Sequence, residues 1–167
     1  KPASCNASGC ARTVEIEMSQ NCRILGNTFH SDMLVRFSHC DPAGIVFFPN
    51  FSKWMDQSSS AFFMACGVPP WRELVKTRGI VGTPLLEINT KFYKTVTYGE
   101  TIMIATHVEE WRDKVIVQLH RVTRASGATE DLICEGREVR AFVKRDANDP
   151  DRLRAIPVPE DIKALCI

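Results

Sequence analysis

Residues 39–67, HCDPAGIVFFPNFSKWMDQSSSAFFMACG, decide how this chain folds. The stretch opens as a loop, with Pro42 and Gly44 as breakers. Pro49 suits the first turn of a helix, where its missing N–H is not needed. From there Phe51, Trp54, Met55, Ser58, Ala61, Phe62 and Ala65 recur at three- and four-residue steps. That spacing puts them on one core-facing stripe of a single long helix. Gly67 is a natural C-terminal stop, and Pro69-Pro70 prevent continuation. Trp71 to Arg78 reads as a second, short helix ending at Gly79.

On either side of this stretch the pattern changes to period two. Phe29 to Ser38 reads as a strand before the loop. Leu85 to Tyr93, Thr101 to Glu110, Lys114 to Arg124 and Leu132 to Lys144 read as four strands after it. Tyr98-Gly99-Glu100, Arg112-Asp113 and Ser126-Gly127 mark the turns, and Gly136 is the expected site of a β-bulge. Strand, long helix and then consecutive strands make an α+β domain, one antiparallel sheet curled around one central helix. One helix leaves much of such a sheet uncovered and its edges open, so the chain is expected to oligomerise. Residues 1–28 are Ser-, Cys- and Asn-rich with one short alternating run, Thr13 to Met18. They are expected to form an extension, disordered or adding an edge strand, ahead of a domain spanning residues 29–167.

Composition narrows the function. The 167 residues suffice for one domain, and 44% of them are hydrophobic, enough for a sizeable core. A net charge of +1 offers no basic excess for a general nucleic-acid surface. No run approaches the roughly 18 apolar residues of a membrane helix, and residues 1–19 lack the apolar centre of a secretory signal. The seven cysteines are odd in number and scattered, without zinc-ligand spacing, and are expected to be reduced thiols of a cytoplasmic protein.

The loop and helix start carry the chemistry. A helix N-terminus has unpaired N–H groups and roughly half a positive charge. Such donors bind a carbonyl oxygen and stabilise the oxyanion formed on attack. Asp41, beside the Gly44 turn, supplies a carboxylate to attack a carbonyl carbon or to deprotonate water. On spacing alone, Asp41 reads more readily as a turn residue. His39 and Cys40 are neighbours that point to opposite sides of extended chain, so they are not a nucleophilic pair. Gly79 to Pro84 lacks phosphate-loop spacing. His107 and His120 lie in strands and read as structural or surface groups.

Five blocks sharpen this: CDPAGIVFFPNF at 40–51, WMDQSS at 54–59, ACGVPPWRELVKTRGIVGTP at 65–84, EEWRDK at 109–114 and DRLRAIPVPED at 151–161. Together they resemble the Pseudomonas type of 4-hydroxybenzoyl-CoA thioesterase, a family of hotdog-fold proteins, over roughly residues 30–167. The resemblance implies hydrolysis of an aromatic acyl-CoA, with no metal and no redox cofactor, in a homodimer that assembles to a homotetramer with sites between subunits. It places Asp41 as the catalytic carboxylate, described in the family as a nucleophile forming a mixed anhydride. Gly44 shapes the turn and the Phe48 main-chain N–H polarises the thioester carbonyl. Relatives often carry Tyr or His where this chain has Phe48, so only the main-chain role transfers. The resemblance puts Asp56 at the ring 4-hydroxyl and Trp71 and Thr83 in the acyl pocket. Phe47, Phe48 and Phe63 suit a flat ring. The family's Arg-Arg-Lys for CoA phosphate is Arg112-Asp113-Lys114 here, so a repulsive charge interrupts the basic run. Arg112, Lys114, Arg121 and Arg124 are either phosphate contacts or solvated strand residues. Benzoyl-, aminobenzoyl- and short aliphatic acyl-CoA are rival substrates. A hotdog hydratase or dehydratase and a non-catalytic acyl-CoA binding module are rival functions.

Overall fold

The computed structural model describes residues 22–149 and 151–167, so the Thr13–Met18 run lies outside the described residues. The long helix, α1 (Pro49–Ala65), begins with its proline in the first turn. The short helix α2 (Trp71–Arg78) ends on Gly79, at φ 68°, a left-handed conformation that suits glycine. Before α1 lie β1 (Cys22–Leu25) and β2 (Thr28–Leu34). After it come β3 (Ile80–Gly82), β4 (Leu85–Phe92), β5 (Thr101–Trp111), β6 (Val115–Ser126) and β7 (Thr129–Ala141). The chain ends with β8 (Val143–Arg145), β9 (Leu153–Ala155) and α3 (Glu160–Leu165). Six strands form one antiparallel sheet in the order β1-β2-β5-β6-β7-β4. With α1 packed against β2 and β5, this is the α+β hotdog arrangement.

Four sequence expectations change. The first strand stops at Leu34 rather than Ser38, because residues 37–39 wind into a single 3-10 turn. That turn is closed when the Arg36 N–H donates to His39 Nδ1 (3.0 Å) and the His39 N–H donates to the Arg36 carbonyl (2.9 Å). The expected strand Leu132–Lys144 is two strands, separated at Phe142, whose ring is fully buried. A second sheet, β3-β8-β9, forms beyond this break. Gly136 is not a bulge: it pairs in register with Thr90 and His120, and the irregularity lies at Val122/Thr123, opposite Ile133. The physical reason for glycine is close helix approach. A Cβ at Gly136 would stand 2.4 Å from Met55 Sδ and 2.9 Å from Cε.

The helix stripe is wider than its spacing predicts. Phe51, Trp54, Met55, Ser58 and Phe62 are buried as expected, but Ser59 and Phe63 are buried where Ala61 and Ala65 are only half-buried. Phe63 packs edge-on against Trp71 of α2 (centroids 5.3 Å apart) and Phe142, so it is a core residue. The apolar core splits into two clusters. One surrounds the first half of α1 with Met33, Phe51, Met55, Ile104 and Val122, and the other its second half with Phe29, Phe62, Leu74, Ile116 and Phe142.

A buried polar belt runs between these clusters. Ser58 and Thr106 share a hydrogen bond of 2.7 Å, and Thr106 meets His120 Nδ1 at 2.8 Å. Ser59 donates to Gln118 Oε1 at 2.5 Å. His120 Nε2 lies 3.2 Å from Glu138 Oε2, and Arg140 Nε donates to that oxygen at 2.7 Å. Burial alone would raise the Glu138 carboxyl, but its contacts with His120 and Arg140 outweigh that and hold it below the ordinary value.

Two predictions follow from this packing. Gly136→Ala is expected to cost about 1–3 kcal/mol in urea unfolding, by overpacking against Met55. The loss should shrink in a Met55→Ala background, and an equal loss in both backgrounds would refute the contact. The depressed Glu138 carboxyl contributes stability above the ordinary glutamate value of 4.5, and that contribution is lost as pH falls through its lower folded value. Glu138→Gln should therefore cost about 3–5 kcal/mol at neutral pH. The gap from wild type should narrow in unfolding titrations carried out progressively below pH 4.5.

Candidate active site

The segment between β2 and α1 is a small hairpin. Asp41 N–H donates to the Ile45 carbonyl, Gly44 N–H to the Asp41 carbonyl and Phe47 N–H to the His39 carbonyl, each at 2.9 Å. Gly44 sits at φ +77°, strained for any residue with a Cβ. The Thr97 hydroxyl donates to the Gly44 carbonyl (2.7 Å), and Val46 N–H donates to the Val96 carbonyl (2.9 Å), so the hairpin is tied to the segment before β5. Asp41 does act as a turn aspartate, since its Oδ1 accepts the Ala43 N–H at 2.8 Å. This bond holds the half-buried carboxylate in one orientation and engages one of its two oxygens.

The hairpin is also bound to the helix start. Asn50 Nδ2 donates to the His39 carbonyl at 2.8 Å, beside the Phe47 N–H on the same oxygen. At the start of α1, Asn50 N–H donates to the Phe47 carbonyl and Phe51 N–H to the Phe48 carbonyl, while Pro49 has none to give. Phe48, the N-cap, keeps a main-chain N–H with no acceptor among the described residues. The residue is 64% exposed, and its ring meets Phe47 edge-on at 5.3 Å.

His39 and Cys40 form no catalytic pair. The His39 ring takes the Arg36 N–H and stacks edge-on against Trp54 at 5.2 Å, while Cys40 Sγ lies 3.9 Å from the Arg36 carbonyl. Burial, then Arg36 and Lys53, lower the His39 pKa. The described cysteines are all free thiols.

Two cavities flank α1. One, of about 340 Å³, lies at the helix start between Ile45, Phe48, Phe51, Phe92 and Tyr93. The other, of about 350 Å³, is walled by Asp56, Trp71, Thr83, Arg140, Val143 and Leu153. Asp56, Trp71 and Thr83, far apart in sequence, thus meet in one cavity. Asp41 and Phe47 line neither. Asp56 is not a buried carboxylate awaiting a donor: its side chain is 68% exposed, and Arg140 Nη2 already donates to Oδ1 at 2.7 Å.

The expected phosphate contacts are more dispersed. Residues 112–114 form the β5–β6 turn, and Lys114 offers its carbonyl to the Phe142 N–H, next to the Val143 wall of the second cavity. Arg112 is paired with Glu110 (2.7 Å), both about half exposed. Arg124 is engaged with Glu100 (2.6 Å) and Asp131 (3.0 Å). Arg121 faces the outer side of the sheet, in a depression with His107, Lys91 and Arg137.

Sequence reading missed Asn50, Glu138 and Arg140. Nothing local marks Asn50, since its target is a carbonyl eleven residues earlier. Glu138 and Arg140 did leave a signal: two charges at alternate positions of a strand, in step with the inward-facing Cys134 and Gly136.

Comparison with known proteins agrees with the geometry. A family model described as the thioesterase-like superfamily matches residues 35–165. The chain is 46% identical over 133 residues to 4-hydroxybenzoyl-CoA thioesterase of Pseudomonas sp. (strain CBS-3), covering 79% of this chain and 92% of that one. It superimposes on a crystal structure of a 4-hydroxybenzoyl-CoA thioesterase Asp-to-Asn variant in complex with 4-hydroxybenzoyl-CoA, with TM-score 0.81 and 40% identity over 85% of this chain and 100% of that one. A gentisyl-coenzyme A thioesterase structure gives TM-score 0.68 and 26% identity, covering 83% and 99%. No helix among the described residues is long and apolar enough to cross a membrane. The hairpin, the helix start and the cavities therefore belong to a member of the thioesterase-like superfamily, on its 4-hydroxybenzoyl-CoA thioesterase branch.

Proposed function

We propose that this chain hydrolyses 4-hydroxybenzoyl-CoA, or a close ring analogue, to the free acid and CoA. The observation that carries the reading is the unpaired Phe48 N–H at the positive end of α1, tied by Asn50 and Phe47 to the hairpin that holds Asp41. The thioester oxygen accepts from Phe48 N–H, and the helix end stabilises the negative charge that develops there. Asp41 then attacks the carbonyl carbon, CoA leaves as the thiolate, and water opens the resulting anhydride. With a wider gap the same carboxylate deprotonates a water that attacks instead. Both routes consume one water, return the carboxylate and transfer no electrons, so neither calls for a redox cofactor.

The site draws on two copies of the chain. Phe48 lines the cavity at the helix start and Asp56 a separate one that shares no lining residue with it, so the helix start of one copy is taken to serve the ring cavity of another. β4 supports this pairing. It is an edge strand whose Leu85, Leu86, Ile88 and Phe92 are all exposed, and such an edge calls for a partner. We assign the outcome as a homodimer assembling to a homotetramer. Arg112 and Lys114 receive the CoA phosphates. The exposed Glu110 pair holds Arg112 only weakly, and Asp113 leaves Lys114 the main cation of the turn.

Asp41→Asn is expected to lower kcat by at least about a thousandfold in a thiol-release assay while still binding substrate. Turnover retained in that variant would reject the mechanism. Leu86→Asp, on the open edge, should give a folded monomer by light scattering with turnover down about a hundredfold, because the site loses its second half. A monomer as active as wild type would rule out the shared site.

A further inference from the structure

We propose that Arg140 is the positioning residue for ring recognition, fixing the Asp56 carboxylate so that its second oxygen accepts a hydrogen from the ring substituent. The inference rests on the proposed reading of Asp56 as the ring-end residue. The Arg140 side chain is only 6% exposed, yet three of its nitrogens have separate partners. Nε donates to Glu138 Oε2 (2.7 Å), Nη1 to the Thr83 carbonyl (3.1 Å) and Nη2 to Asp56 Oδ1 (2.7 Å). One planar group therefore ties together two walls of the same cavity, α1 through Asp56 and the segment after β3 through Thr83. Its own position is set from behind by Glu138, which is 1% exposed and lies beside His120.

An aspartate 68% exposed on a helix surface would otherwise sample several rotamers. Held by Arg140, it keeps one orientation, and Oδ2 is left without a donor among the described residues. The guanidinium is committed to protein acceptors, so it does not serve as an anion receptor. The ring end of the cavity consequently presents a fixed acceptor. It suits a neutral substituent that carries a hydrogen, such as a hydroxyl or an amino group. It disfavours hydrogen, methoxy and carboxylate substituents, which leave Oδ2 unpaired or repelled.

The test is the selectivity ratio, kcat/KM for 4-hydroxybenzoyl-CoA over that for benzoyl-CoA, in wild type, Arg140→Lys, Asp56→Asn and the double variant. Lysine keeps the charge and loses the three-way fork. The ratio is expected to fall about tenfold in Arg140→Lys, about a hundredfold in Asp56→Asn, and no further in the double variant. Methoxybenzoyl-CoA should follow benzoyl-CoA, and aminobenzoyl-CoA should follow the hydroxylated substrate. An equal loss on both substrates in Arg140→Lys would mark a purely structural role and overturn the proposal. A ratio that collapses in Asp56→Asn but survives in Arg140→Lys would remove Arg140 while leaving Asp56 as the selector. A wild type without ring preference would overturn both. If Arg140→Lys does not fold, Asp56→Glu carries the test, since at this exposed position it keeps the carboxylate and moves it off the Arg140 fork. An unchanged ratio there overturns the proposal.

Discussion

A guanidinium taken out of water must have its N–H groups matched, and Arg140 meets that demand by joining three separate parts of the fold. Its partners are a strand neighbour, a carbonyl after β3 and a carboxylate on α1. Loss of Glu138 would leave a buried charge unpaired, at a cost of several kcal/mol. The same group sits at the end of a polar belt that crosses the core beneath the middle of α1. Apolar contact holds both ends of the helix to the sheet, while the belt allows only one rotation and one register between them. The close approach of Met55 to Gly136 belongs to the same constraint, because a helix turned or lifted slightly would lose both.

The reactive end of the helix is organised differently, by main-chain bonds rather than buried charge. One carbonyl, that of His39, receives both the Asn50 side chain and the Phe47 N–H. This couples the Asp41 hairpin to the helix start, so the carboxylate and the Phe48 N–H belong to one rigid unit. The main-chain N–H at Phe48 does not depend on the side chain, so a phenylalanine is compatible with that position. On the proposed reading the helix has a reactive end and a recognition end, which line different cavities.

Much of this was legible in the sequence. The three- and four-residue steps from Phe51 to Phe62 marked α1, and alternation marked the long strands, because both signals come from neighbours along the chain. Gly44 and Gly79 marked turns for the same local reason. The short elements β3, β9 and α3 were invisible, since three to six residues are too few to show a period. Gly136 was legible as an exception and misread as a bulge. Its cause is a methionine on another element, which no local rule contains.

The sequence by itself determined the long helix, the long strands and their order, the loop before the helix and the family to which the chain belongs. Each rests on local patterning or on contiguous blocks. Only the tertiary structure decided which polar groups meet. Ser58 and Thr106 lie 48 positions apart in the chain, and Asp56 and Arg140 lie 84 apart. Their contact depends on sheet register and helix rotation together, and those are set by the packing of the whole core rather than by any segment of it. That is why the sequence could set Asp56 at the ring only by resemblance, while the fold shows it as the exposed arm of an ion network whose other members, Arg140 and Glu138, are buried.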